Sequence, residues 1–181
     1  CIQIDQVKAI KEANKAIAVL FLSSGILLAY KRKQKQEKRE EEARKNIYDI
    51  QISRKGKTIT CRGFYDSGNL LMDSVNGKPV SVGTEKVLSE ICSEETVSCL
   101  KHLKENPGES GKPGTAGLHP HFTFFHSIGK EQGMMLAVTF ERLCIQTPAE
   151  VVCIDNPVFA FSFGTSAFGK EYEVLLNSRL L

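Results

Sequence analysis

The sequence lacks tryptophan, carries little excess charge, and has no apolar run as long as a bilayer core is thick. Its 24 basic and 21 acidic side chains leave a formal net charge of +3, too small to imply a nucleic-acid partner unless the positive charge is concentrated. A charged fraction of 25% and an apolar fraction of 41% exclude a wholly disordered, collagen-like or many-span membrane chain. The 181 residues make one domain with an appendage. The cysteines, Cys1, Cys61, Cys92, Cys99, Cys144 and Cys153, contain no CxxC pair, and His119-Pro120-His121 has no cysteine at finger spacing. Both absences argue against zinc, and no metal or cofactor is expected.

The appendage is the first 46 residues. Residues 16–30, AIAVLFLSSGILLAY, are uncharged. As a helix they reach only about 22 Å against a hydrocarbon core of about 30 Å, and length alone favours a buried helix of a soluble domain. The flank favours the other reading, a transmembrane helix extended by Lys15, Lys31 and the interfacial Tyr30. Lys31, Arg32, Lys33, Lys35, Lys38 and Arg39 follow at once, as they do where a span ends in the cytoplasm. Residues 31–45 hold eight basic and four acidic side chains, a local 8 − 4 = +4 that exceeds the surplus of the whole chain. With Glu37, Glu40, Glu41 and Glu42 interleaved and no aromatics, residues 31–46 read as a charged linker, either a solvated helix or a tether, and not as a nucleic-acid surface. A basic block after the apolar run is wrong for a signal peptide. Cys1 in place of an initiator methionine suggests sequence upstream, so residues 1–15 read as the remnant of an N-terminal membrane domain. A cytoplasmic body predicts reduced, mostly buried thiols.

From residue 47 to residue 181 the pattern is mainly β. Tyr48, Ile50 and Ile52 alternate with polar residues, Arg54-Lys55-Gly56-Lys57 makes a turn, and residues 58–65 resume as a strand. Asn76-Gly77 marks a second turn into residues 79–82. Thr84 and Ser93 are positioned to cap two short helices carrying Val87, Leu88 and Ile91, then Val97, Leu100 and Leu103. Residues 106–117, NPGESGKPGTAG, read as a mobile surface loop. Strand-like runs return at residues 122–128, 134–140, 150–154, 158–163 and 172–176.

The chemistry-bearing element is Gly63-Phe64-Tyr65-Asp66-Ser67-Gly68-Asn69. In an Asp-Ser/Thr-Gly turn the glycine permits a tight fold and the hydroxyl can bond across to a partner turn. Two such turns meeting about a twofold axis bring carboxylates too close for both to ionise, so one acts as base on a water and the other as acid. An ordinary turn whose aspartate bonds its own backbone is the plain alternative. Asp5, Asp49, Asp73 and Asp155 are not followed by this turn, so a two-carboxylate site requires a second copy of the chain. The run Gly164-Thr-Ser-Ala-Phe-Gly169-Lys170 starts like a phosphate-binding loop, but Glu171 stands where Ser or Thr should follow.

Three stretches, GFYDSGNLLMDSVNGKPVSV (residues 63–82), SIGKEQGMMLAV (residues 127–138) and EYEVLLNSRLL (residues 171–181), resemble the sporulation sigma-E factor processing peptidases of endospore-forming bacteria, a family of membrane-embedded aspartic proteases. The resemblance implies a retroviral-type aspartic protease barrel on the cytoplasmic side of the cell membrane, working as a homodimer on a sigma factor precursor; an activating protein is a further candidate partner that the sequence does not identify. Carried over by position, Asp66 is the catalytic aspartate, with Ser67 and Gly68 supporting the dyad. Ser127, Ile128, Gly129, Lys130, Glu131, Gln132, Gly133 and Met134 form a flap in which Gly129 and Gly133 supply flexibility. The strand at residues 171–176 would pair across the dimer. Such proteases also keep an apolar-apolar-Gly strand behind the aspartate turn, and the nearest candidates are Val152-Cys153-Ile154-Asp155 and Phe161-Ser162-Phe163-Gly164. The rival reading is a catalytically silent β-barrel module that holds a partner at the membrane.

Overall fold

The computed structural model describes residues 26, 28–37, 45–108, 113–127, 130–163 and 171–181. The chain divides into two units, Cys1–Lys45 and Asn46–Leu181. In the first, residues 28–37 are helical and exposed, with Lys33 and Glu37 3.8 Å apart one turn on and Gln34 Nε2 donating to the Tyr30 hydroxyl at 2.9 Å. Residues 31–37 of the charged linker are thus a solvated helix. The expected span lies mostly outside the described residues; among those described, no helix is long and apolar enough to cross a membrane.

The second unit is mainly β, as expected. Strand β1 (Ile47–Arg54) turns back into β2 (Lys57–Asp66), and β3 (Val80–Thr84) leads into helices α1 (Glu85–Ile91) and α2 (Glu94–Glu105). Then follow β4 (His121–Ser127), β5 (Lys130–Thr139), β6 (Arg142–Gln146), β7 (Val151–Asp155), β8 (Val158–Ser162) and β9 (Val174–Asn177). The β1–β2 turn has positive φ at Lys55 (47°) and Gly56 (76°), the twist that keeps antiparallel strands in register. Strand β6 is an addition to the expected elements: only Leu143 and Ile145 carry its apolar signal, but both are fully buried against β1.

All these strands form one sheet in the order β4-β5-β8-β3-β9-β2-β1-β6-β7. The expected barrel is not confirmed: β4 and β7 are edges, and no pairing joins them among the described residues. A correction concerns the C-terminal strand. β9 lies in the middle of the sheet, parallel to β2 and antiparallel to β3, so both of its edges are occupied within the chain. The reason is apolar burial: Val174 and Leu176 are fully buried in the main core with Ile50, Leu88 and Phe161, each such side chain contributing about 1.5–3 kcal/mol. Gly63 on β2 makes room, since a Cβ there would meet Leu176 at 3.0 Å.

Local expectations divide in the same way. Ser93 caps α2 by accepting from the Thr96 amide at 3.3 Å, whereas Thr84 precedes α1 without a side-chain cap bond. The loop expected to be mobile is partly fixed: Pro113–Thr115 forms a 3-10 turn, and the Thr96 hydroxyl donates to the Gly114 carbonyl at 3.0 Å. Cys61 and Cys92 are buried thiols and Cys99 is half-buried. Cys144 and Cys153, opposite each other on β6 and β7, are joined in a disulfide. That overturns the expectation of free thiols for this pair, because strand register brings them face to face. Burial, with Glu173 and Glu90 nearby, pushes the Cys61 thiol up to about 12.

Candidate active site

Asp66 is the last residue of β2, and its half-buried carboxylate begins a tight turn. Its Oδ1 accepts from the Gly68 amide at 2.9 Å, and its carbonyl accepts from the Asn69 amide at 2.9 Å. This is the self-bonded aspartate turn that the plain reading requires. It leaves Oδ2 without a hydrogen bond or cationic partner among the described residues. Ser67 and Gly68 are exposed beside it. A Cβ on Gly68 would stand 3.2 Å from Asp66 Oδ1, so a side chain there would crowd the carboxylate.

The strand behind the turn is neither of the two candidates. Val152–Asp155 belongs to the edge strand β7, and Phe161 and Ser162 to β8, which pairs with β3 and β5. The place is taken by β9, whose Leu176 and Asn177 pair in parallel with Tyr65 and Asp66. Val174-Leu175-Leu176-Asn177 is an apolar run with asparagine in the glycine position, and that departure conceals it in the sequence. Asn177 is fully buried; its Nδ2 donates to the carbonyls of Leu71 at 2.7 Å and Val80 at 3.2 Å, and its Oδ1 accepts from the Arg179 amide at 3.0 Å. Asn69 acts from the turn itself, donating to Val80 O at 3.2 Å and accepting from the Leu71 amide at 3.2 Å. The Ser178 amide returns to Asn69 O at 3.0 Å, and the Tyr65 hydroxyl donates to Ser178 O at 3.1 Å. Two asparagines that residue-type reasoning passes over therefore hold the turn to the centre of the sheet.

The segment expected to form a flap falls in the β4–β5 hairpin. Ser127 pairs with Lys130, so Lys130, Glu131 and Gln132 belong to β5, while Ile128 and Gly129 lie outside the described residues. Gly133 is a strand residue opposite Phe125, and a Cβ on it would collide with the Phe125 ring. It leaves room for an aromatic side chain within the paired part of the hairpin. Met134 pairs with Phe124, and both are exposed. The strands β8, β3 and β9 stand between this hairpin and β2 in the sheet, and no hydrogen bond links Asp66 to the hairpin among the described residues. The run at residues 164–170 lies outside the described residues. Among those described, no group of three or more His, Cys, Asp or Glu side chains could hold a metal ion.

The family profile described as sporulation factor SpoIIGA, peptidase U4, matches residues 2–180. The sporulation sigma-E factor-processing peptidase of Priestia megaterium is 22% identical over 135 residues, which is 75% of this chain and 44% of that protein. The chain therefore spans under half the length of this curated relative. No solved structure matches. With the profile covering nearly every residue from the apolar N-terminal run to the buried C-terminal strand, the chain belongs to the peptidase U4 family, sporulation factor SpoIIGA.

Proposed function

We propose that this chain is the proteolytic part of an aspartic endopeptidase that removes the pro-sequence of a sporulation sigma factor. The observation that carries the reading is the Asp66-Ser67-Gly68 turn set against a parallel inner strand, with Asp66 Oδ2 unengaged among the described residues and the turn held by Asn69 and Asn177. Family membership and the name of the relative support the substrate class.

A single Asp-Ser-Gly turn per chain makes the site the property of a homodimer. Two Asp66 groups about a twofold axis share one proton, because two negative charges so close repel. One carboxylate takes a proton from water as the water attacks the scissile carbonyl and the other gives the shared proton to the carbonyl oxygen; when the C–N bond breaks, the proton taken from water passes to the leaving amine and the second carboxylate recovers a proton from the tetrahedral hydroxyl. Ser67 braces the partner turn, and the β4–β5 hairpin closes over the substrate as a flap. The N-terminal apolar segment tethers the domain at the cytoplasmic face of the membrane, where lateral confinement raises the effective concentration of protomers.

The substitution Asp66→Asn tests the assignment, because the Asx turn survives while the titrating group is lost. Co-expressed precursor should remain uncut with the melting temperature unchanged. Cleavage at the same bond in the presence of the Asp66→Asn variant would remove Asp66 from the mechanism.

A further inference from the structure

The loop from the Asp66 turn to β3 carries a second aspartate, Asp73, that is 2% exposed. Its amide donates to Lys78 O at 2.8 Å, its carbonyl accepts from Gly77 N at 2.9 Å, and its Oδ1 accepts from Val75 N at 3.2 Å. The same Oδ1 lies 2.8 Å from Nε2 of His121, the first residue of the β4–β5 hairpin, 48 positions along the chain. Nδ1 of His121 lies 2.8 Å from His119 O. A carbonyl can only accept, so Nδ1 is the donor in that contact, and Nε2 faces Asp73 Oδ1 at hydrogen-bond distance. Asp73 Oδ2 is buried without a partner among the described residues, which leaves His121 as the only side chain there that compensates this buried acid.

An apolar contact runs alongside. Leu71 from the loop and Met135 from the hairpin both pack on the small cluster Val80, Ala137, Val158 and Ala160. The loop is thus tied twice: to β9 by the two asparagines next to Asp66, and to the hairpin's base by Asp73.

We propose that Asp73 and His121 form a positioning pair that sets the β4–β5 hairpin relative to the Asp66 turn, and so governs capture of the polypeptide substrate without taking part in bond cleavage. The inference rests on Asp66 being the catalytic carboxylate.

Steady-state kinetics of the full chain on purified sigma factor precursor test it, with the folded fraction of each variant determined by thermal melting. Asp73→Asn and His121→Ala should each raise KM about tenfold while kcat per folded molecule stays within about threefold. His121→Gln, which keeps an N–H donor facing Asp73, should bring KM back to within about twofold of the parent. Should Asp73→Asn not fold, His121→Asn, on the more exposed member of the pair, carries the same KM expectation. An unchanged KM, or a kcat that falls in step with KM, overturns the positioning role and leaves a merely structural pair. Cleavage by an Asp66→Asn variant is read separately: it removes the reading of the site, whatever the KM values show.

Discussion

The centre and the edge of the sheet are built differently. Around Asp66, β2 and β9 are each paired on both sides, and the turn's polar groups are met by fully buried or half-buried side chains such as Asn177 and Asn69. At the β4 edge the hairpin pairs on one side only, has a register shift between Phe125 and Ser127, and exposes the apolar pair Phe124 and Met134. The chemistry proposed for Asp66 needs fixed geometry, which is best kept where every neighbour is held. A segment that closes on variable substrate belongs where few neighbours constrain it. The opposite edge provides a control, because there β7 is closed by the Cys144–Cys153 disulfide and the Arg142–Asp155 ion pair at 2.9 Å.

The contrast can be broken most sharply at Asn177. Its replacement by Ala removes one of the two donors to Leu71 O, the other being the Val80 amide, and leaves the Arg179 amide without its partner; it should cost about 1–3 kcal/mol in denaturant unfolding together with most of the cleavage activity. Next comes Gly63→Ala: the added methyl meets Leu176 and Ile50, and overpacking there should destabilise the chain by about 1–3 kcal/mol. A full loss of activity with no loss of stability from either change would contradict a structural brace at the centre.

At the edge the effects should separate the other way. Phe124→Ser and Met134→Ser remove exposed side chains, so stability should move by no more than about 0.5 kcal/mol while KM for the precursor rises. The smallest perturbation is chemical labelling. In the native protein an alkylating reagent should reach Cys99 before Cys61 or Cys92, because Cys61 and Cys92 are buried and burial also pushes both thiols up, away from the reactive thiolate. Cys144 and Cys153 should label only after reduction. Labelling of these two without reductant, read by mass spectrometry, would remove the difference between the two edges.

Much of this was legible because it is local. Period-two alternation located β1 and β2, Lys55-Gly56 located their turn, Ser93 marked the start of α2, and the Asp66-Ser67-Gly68 turn announced itself by residue type and spacing. Short elements with two apolar residues, such as β6, fell below what alternation can signal. So did Asn177, which stands where a glycine pattern would be sought, and Asp73, which looks like any loop aspartate until His121 arrives from the start of β4.

What the sequence by itself determined is the chemistry on offer: one aspartate turn, a mainly β body, a basic block beside an apolar run. Only the tertiary structure decided that the C-terminal strand enters the sheet beside Asp66, that Cys144 faces Cys153, and that Asp73 meets His121. Each of those pairings depends on long-range register. Register is set by which side chains can be buried together, and no local pattern encodes it.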